Sequence, residues 1–499
     1  MLVNDARGNP VTASGSLPVI LLDDAVESYL GFRKDTGDRL KAALTAEPDF
    51  VLAHCLRGYF MMLFGQRAMV SRAQRSLEAA LATARATGAT PRETAHVATL
   101  AAWIEGDFAS TIARWEAIAA EHPRDILALK LGQYGRFYSG ESELMRDVLA
   151  RALPAWDASV PGYGFVLGCH AFGLEETGDY IAAERAGREA VDRNPSDIWA
   201  AHAVAHVFEM TGRPREGVAW VDSLQSNWAE CNNFAFHAFW HRCLFLIELG
   251  ALDRVLDLYD REVRPESTDD LLDISNAVAL RWRLEQAGVD VGDRWGELAD
   301  RAQGHVHDHL LVFGDVHYLM ALTAAGRADD AAGMVESLER YAAESGETEA
   351  AVAREPGLAL ARAVLAHRRG DYASAVEELL PVRDSIRRIG GSHAQRDLFE
   401  EMLIDSVLRA GRFDQAKALL ADRLEHWPRN AWGWRHYAQV IHLHLQSCRG
   451  SICGSPLSVP NQVADFTILY VQKWRRGRDS NPRDDSSPST RSPGVRLRP

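Results

Sequence analysis

His202 and His206 stand four residues apart, and His237 and His241 repeat that spacing 35 residues later. Residues four apart on a helix project from the same face. Each pair therefore sets two imidazoles side by side, and Glu209, three residues beyond His206, shares the first pair's face. A third cluster (His305, His307, Asp308 and His309, then Asp315 and His317) begins 68 residues after His237. Imidazoles in this pattern beside a carboxylate can coordinate zinc or iron, and neutral histidines near pH 7 can move protons. The same rings also serve as hydrogen-bonding groups between packed helices, or as contacts for a ligand in a groove. No HExxH pattern and no CxxC pair accompanies them, so no metal is committed. His202, His206, His237 and His241 are the candidates if a transition metal binds. No other cofactor is expected, and no catalytic residue is assigned. The neighbouring Trp199, Phe234, Phe236, Phe239 and Trp240 are expected in hairpin cores.

The elements that must carry these residues announce themselves as repeats. Gly106-Asp107-Phe108 is followed by Pro123, Gly178-Asp179-Tyr180 by Pro195, and Gly411-Arg412-Phe413 by Pro428. Gly370-Asp371-Tyr372 is a partial fourth instance, with Ala375 but no proline at that offset. The glycine closes one helix in a left-handed turn, and the aromatic opens the next and packs back on the first. Ala183, Ala375 and Ala416 allow close approach of the two helices, and the proline ends the second. The glycines at 106, 140, 178, 212, 250, 288, 326, 370 and 411 are separated by 34, 38, 34, 38, 38, 38, 44 and 41 residues. No segment alternates as a strand does. The expected fold is all-α, a right-handed superhelical solenoid of about ten tetratricopeptide-type hairpins whose first helices line a concave face. The histidine pairs then fall on consecutive inner helices. Residues 1–19 are expected as an irregular lead-in, 20–445 as the repeat domain, and 446–499 as a low-complexity, basic, disordered tail.

Gly390-Gly391-Ser392-His393-Ala394-Gln395-Arg396-Asp397 lacks the GKS/T ending of a phosphate loop and follows no strand. It reads as a turn in which Ser392 caps a helix over 394–409, with Arg396 and Asp397 free to pair with a preceding hairpin or reach the groove. Formal charge is −14 overall, and the eight Lys/Arg and three Asp of 473–499 contribute +5, so the body carries −19. An acidic body without a basic stripe excludes phosphate-backbone binding. No run approaches the roughly 20 apolar residues of a membrane span, and the start lacks a secretory leader. The six cysteines have no framework spacing and read as reduced thiols. A cytoplasmic setting is expected, without nucleic-acid or membrane partners.

The stretch Asn194-Pro195-Ser196-Asp197-Ile198-Trp199 through His202, His206 and Glu209-Met210 resembles the tetratricopeptide repeat protein 38 family. So do the block from His237 to His241, the run from His305 to Met320 with Asp308, His309, Phe313, Asp315 and His317, and the Gly390-Gly391…Arg396-Asp397 motif. The resemblance extends from about residue 20 to about 410. It departs at His393, where the family carries Asn, and leaves the tail without a counterpart. It implies a helical array in a soluble intracellular protein and brings no activity or catalytic residue with it. The leading functional expectation is a scaffold that binds a protein or peptide, or a ligand, on a concave face lined by histidines and aromatics. The alternative is an enzyme or small-molecule binder whose histidine-rich groove site joins all three clusters.

Overall fold

A computed structural model describes residues 1–450, with side chains to Leu443. What was expected of the tail beyond 450, and of Cys448 and Cys453, lies outside the described residues. The final helix, Ala431–Gly450, runs past the expected limit at 445. Residues Met1–Trp434 form one compact unit.

The unit is a succession of helical hairpins. The nine turn glycines, 106 through 411, all have positive φ, between 64° and 83°, the conformation that closes a helix at no steric cost for glycine. Two further hairpins precede them, Ser16–Leu30 with Thr36–Ala46 and Val51–Leu63 with Arg67–Thr87. The second helices at the repeat prolines end at Glu121, Arg193 and His426, two residues before Pro123, Pro195 and Pro428. The residue between glycine and aromatic has its own task. Asp107, Asp179 and Asp371 cap the second helix by accepting from the backbone N–H of Ser110, Ala182 and Ser374, satisfying donors that a helix start leaves open. Arg412 makes no such bond. Residues 1–19 are not an irregular lead-in. Leu2–Asn4 pairs antiparallel with Pro10–Thr12, and the first helix already begins at Ser16. Asp5 organises the turn by accepting from the backbone N–H groups of Arg7 and Asn9.

The first helices of several hairpins, among them Ile126–Tyr138, Ile198–Met210, Leu271–Gln286 and Val312–Ala324, are buried nearly all round. In Ile198–Met210 only Trp199 and Glu209 escape full burial, although an open solenoid would leave one face to solvent. Both ends of the chain account for this. At one end, Lys34 Nζ donates to the Ala229 carbonyl, Gln66 Nε2 to that of Asp269 and Arg67 Nε to that of Asp308. These three carbonyls precede the helices Phe234–Glu248, Leu271–Gln286 and Val312–Ala324. At the other end, residues 387–431 reach Tyr138, Glu176, Gly212, Glu248 and Arg283, all at or near the C-terminal ends of first helices. The two longest repeat steps, 44 and 41, supply the extra chain. The first contains 347–357, where Arg67 forms a bidentate pair with Glu347 at 2.8 and 2.9 Å and Thr348 donates its N–H to the Gly106 carbonyl. The second contains the Gly390-Gly391 turn, which lies against Tyr138 and Phe313. The concave interior is thereby closed from both sides.

Candidate functional site

Besides a cavity of about 330 Å³ beside Glu209, Arg283 and Asp397, the unit holds one of about 440 Å³. Its walls are chiefly aromatic, among them Phe32, Tyr134, Phe172, Trp199 and Phe234, and His202 and His237 form one end. Trp199 and Phe234, expected in a hairpin core, pack in a hydrophobic cluster there and also line the chamber. Trp240 is fully buried behind it, stacked on His237 with 5.3 Å between centroids. Phe239 packs edge-on against Trp228.

Lys130 enters this apolar chamber from the helix Ile126–Tyr138 and is 6% exposed. Its ammonium lies 3.4 Å from the Trp199 ring centroid and within 3.5 Å of Gln133 Oε1, with no salt bridge to a carboxylate. Burial pulls its pKa below the ordinary lysine value, against the pull of Cys169 and Asp197. The sequence did signal this residue. Lys130 interrupts the apolar run from Ile126 to Leu131 and stands ten residues before its turn glycine, as His202 does two hairpins later.

The two histidine pairs meet. His202 Nε2 is 2.9 Å from His206 Nε2 and 2.9 Å from His237 Nε2. All four rings are buried, His206 and His241 completely. Behind three of them stand polar groups at Nδ1. Glu209 Oε2 is 2.8 Å from His241, Asn276 Oδ1 is 3.2 Å from His237, and Glu175 Oε2 is 3.6 Å from His206. Burial, reinforced by the neighbouring rings, depresses His202, His206 and His237 well below the ordinary value, and burial together with Arg283 brings His241 to about 3. All four are neutral at pH 7. Burial pushes Glu209 up to about 8, and drives Glu175 well above the carboxylate range with help from Glu176 and Glu209. Among the described residues, the ligand-type groups that converge closely enough for one ion are these four histidines, and Glu175, Glu176 and His206.

Glu175, Glu176 and Asn276 were not anticipated. Glu175 stands three residues before Gly178, as Glu209 stands three before Gly212, so the repeat register itself was the available signal. Asn276 lies inside the almost wholly buried helix Leu271–Gln286, without a sequence pattern to mark it.

The third cluster does not join them. His305 is held between Asp308 at 2.7 Å and Asp269 at 3.0 Å. His307 and His309 share Ser337 Oγ, and His309 Nδ1 faces Asp315 at 3.2 Å. His317 Nδ1 donates to the Phe313 carbonyl, and burial lowers this ring to about 4. These are the joints of a corner next to the Arg67–Glu347 closure. From the Gly390 turn, Ser392 caps the helix His393–Arg409 with a reciprocal Gln395 contact. Arg396 donates to the Gly391 carbonyl and lies 3.6 Å from Glu176, whereas Asp397 is committed to Arg423.

The His305 corner carries a pH prediction. Burial would lower this imidazole, but hydrogen bonds to Asp308 and Asp269 outweigh it and raise its pKa above the ordinary value. A raised histidine contributes stability that is fully present below about pH 6.5 and is lost as pH rises through the folded value. Thermal melts between pH 6 and pH 9 should therefore show a falling component that His305→Gln removes. An unchanged pH dependence in that variant would contradict the assignment.

The described cysteines, Cys55, Cys169, Cys231 and Cys243, are free and buried. Among the described residues no helix is long and apolar enough to cross a membrane. No family model matches the chain. Among solved structures, the chain is similar to one described as Naa15/Naa10 bound to HypK-THB, with 12% identity, 85% of this chain and 66% of that chain covered, and a TM-score of 0.22. It is also similar to the TPR domain of P58(IPK), with 14% identity, 86% and 99% coverage, and a TM-score of 0.19. The chain thus spans just under two thirds of the first of these. Such TM-scores carry no argument about function, and the fold is an all-α array of helical hairpins on the strength of its own helix order and turn geometry.

Proposed function

We propose that this protein binds a small, largely apolar molecule carrying one anionic group, inside its closed array of hairpins. The observation that supports this most is the aromatic-walled chamber of about 440 Å³ into which Lys130 enters without a carboxylate partner. The volume falls in the range of small-molecule sites, which are mostly apolar with a few placed polar groups. An anionic head would give the buried ammonium the partner that burial of a charge demands. Peptide binding along the concave face fits less well, because the chain's own residues 387–431 lie across the ends of the inner helices. The motifs that resemble the tetratricopeptide repeat protein 38 family, His202 to Glu209 and Gly390 to Asp397, fall at the chamber and the histidine site beside it. That placement agrees with a shared binding role for them.

The test uses decanoate and decanol as probes, followed by Trp fluorescence and thermal shift. Decanoate is expected to saturate one site, and Lys130→Met to weaken it at least tenfold while decanol is affected less than threefold. No saturable binding of either probe to the folded wild-type protein, or equal loss of both in a folded Lys130→Met protein, would overturn the reading.

A further inference from the structure

We infer that His202, His206, His237 and His241 together hold one divalent transition-metal ion of the class that imidazole nitrogen favours, with zinc as its representative. One ring nitrogen from each lies within 4.8 Å of all the others. The groups behind the rings fix which nitrogen is bare. Asn276 Oδ1 at His237 Nδ1 and Glu209 Oε2 at His241 Nδ1 place the proton on Nδ1 of those two rings, while Glu175 stands 3.6 Å from His206 Nδ1 without a hydrogen bond. The Nε2 lone pairs of His237 and His241 are then directed inward. His202 Nε2, 2.9 Å from both His206 Nε2 and His237 Nε2, can hydrogen-bond with one of the two only, because an imidazole nitrogen carries one hydrogen or one lone pair.

Hydrogen bonding among the rings therefore leaves one of these two 2.9 Å contacts unsatisfied. His241 Nε2 is fully buried with no hydrogen-bond partner. Buried polar groups normally find partners, and a cation at the centre satisfies all four nitrogens at once. Tetrahedral metal–nitrogen bonds of about 2.0–2.1 Å set ligand nitrogens about 3.3–3.4 Å apart, so the two 2.9 Å pairs part by a few tenths of an ångström and the wider pairs draw in.

The surrounding charge agrees. Glu175 is 0% exposed, and neither of its carboxylate oxygens has a hydrogen-bond partner. A carboxylate behind a ligating imidazole is the usual outer partner of such a site. His202 and His237 also line the chamber, so the ion stands beside whatever occupies it. The inference does not depend on the chamber's ligand.

Full-length protein without a polyhistidine tag is stripped with chelator and titrated with Zn(II) and with Co(II). We expect about one equivalent of either ion, with the visible absorption of nitrogen-ligated Co(II). His206→Gln and His241→Gln should each lower occupancy at least tenfold. Glu209→Gln should retain the metal but weaken it about 10- to 100-fold. Uptake below a tenth of an equivalent by folded wild-type protein, or a Co(II) spectrum unmoved in every folded histidine variant, would overturn the inference. The wild-type titration decides the matter even where a variant fails to fold. Metal uptake is read without added probe and decanoate binding in the presence of chelator, so the two readings fail separately.

Discussion

Asp125→Ala is expected to destabilise the protein by about 3–5 kcal/mol, the range for removing one partner of a buried ion pair. Asp125 Oδ2 is 2.7 Å from Arg92 Nη1 and 2.9 Å from His96 Nε2, and both partners are almost completely buried. Its other oxygen caps the helix Ile126–Tyr138 through the Ala128 N–H. Tyr59 extends the network by donating to the His96 carbonyl at 2.8 Å. Without the carboxylate, the Arg92 guanidinium keeps only Asp5 and the Pro10 carbonyl, each at 3.4 Å, and a helix start loses its cap. Burial raises the Asp125 carboxyl, but His96, Arg92 and the Ala128 N–H outweigh it and hold it far below the usual range. A depressed carboxyl contributes stability that is present above its unfolded value near 4 and is lost as pH falls below it. Urea unfolding at pH 7 and pH 3 measures both effects. A loss below 1 kcal/mol at pH 7, or an Asp125→Ala deficit that does not shrink in acid, would contradict this account.

Gly140→Ala is the second large effect, and it probes the closure of the array. Gly140 has φ +70°, and a Cβ there would overlap the carbonyl oxygen of Arg387. The left-handed backbone alone costs roughly 1–2 kcal/mol for a residue with a side chain, and the backbone collision adds to it because neither partner is a flexible side-chain end. The expected loss is at least about 2 kcal/mol. Hydrogen exchange should rise at 383–392 as well as at the 138–142 turn. Gly178→Ala is the control, since it has φ +83° and nothing within 4 Å. It should show the backbone cost without the exchange change at 383–392. Equal effects at the two glycines would mean that the 383–392 segment does not bear on Gly140.

The local architecture was open to reading because its determinants are local. A left-handed turn needs glycine, a helix cannot run through proline, and the nine glycines all occupy the predicted turns. The capping aspartates were equally legible, though their role emerged only with the helix starts. His202 meets His237 because equivalent positions on successive inner helices are neighbours, which the 35-residue interval encodes. The closure was not legible. Arg67 and Glu347 are separated by 280 residues, and no periodicity announces a pair made once. Nor could the spacing decide whether the third histidine cluster joins the first two, as the alternative reading had it. Its position depends on how the 304–311 corner turns, where His309 adopts φ +46°, and not on repeat spacing. Lys130 and Glu175 were visible in register but unremarkable by type until burial removed their partners.

An open repeat array unfolds and refolds piecemeal, because each hairpin touches only its neighbours and the ends fray first. Here the first and last hairpins are both fastened to the middle. A terminal hairpin cannot detach without breaking contacts far away in sequence, such as Lys34 with Ala229, 195 residues apart, and Asn430 with Glu248, 182 apart. The chain should melt as a single cooperative transition. Its folding should be slow for an all-helical protein, because contacts so distant in sequence must form before the native state is secured. Deleting residues 1–87 should then cost the whole unit its cooperativity, where an open array would merely shorten.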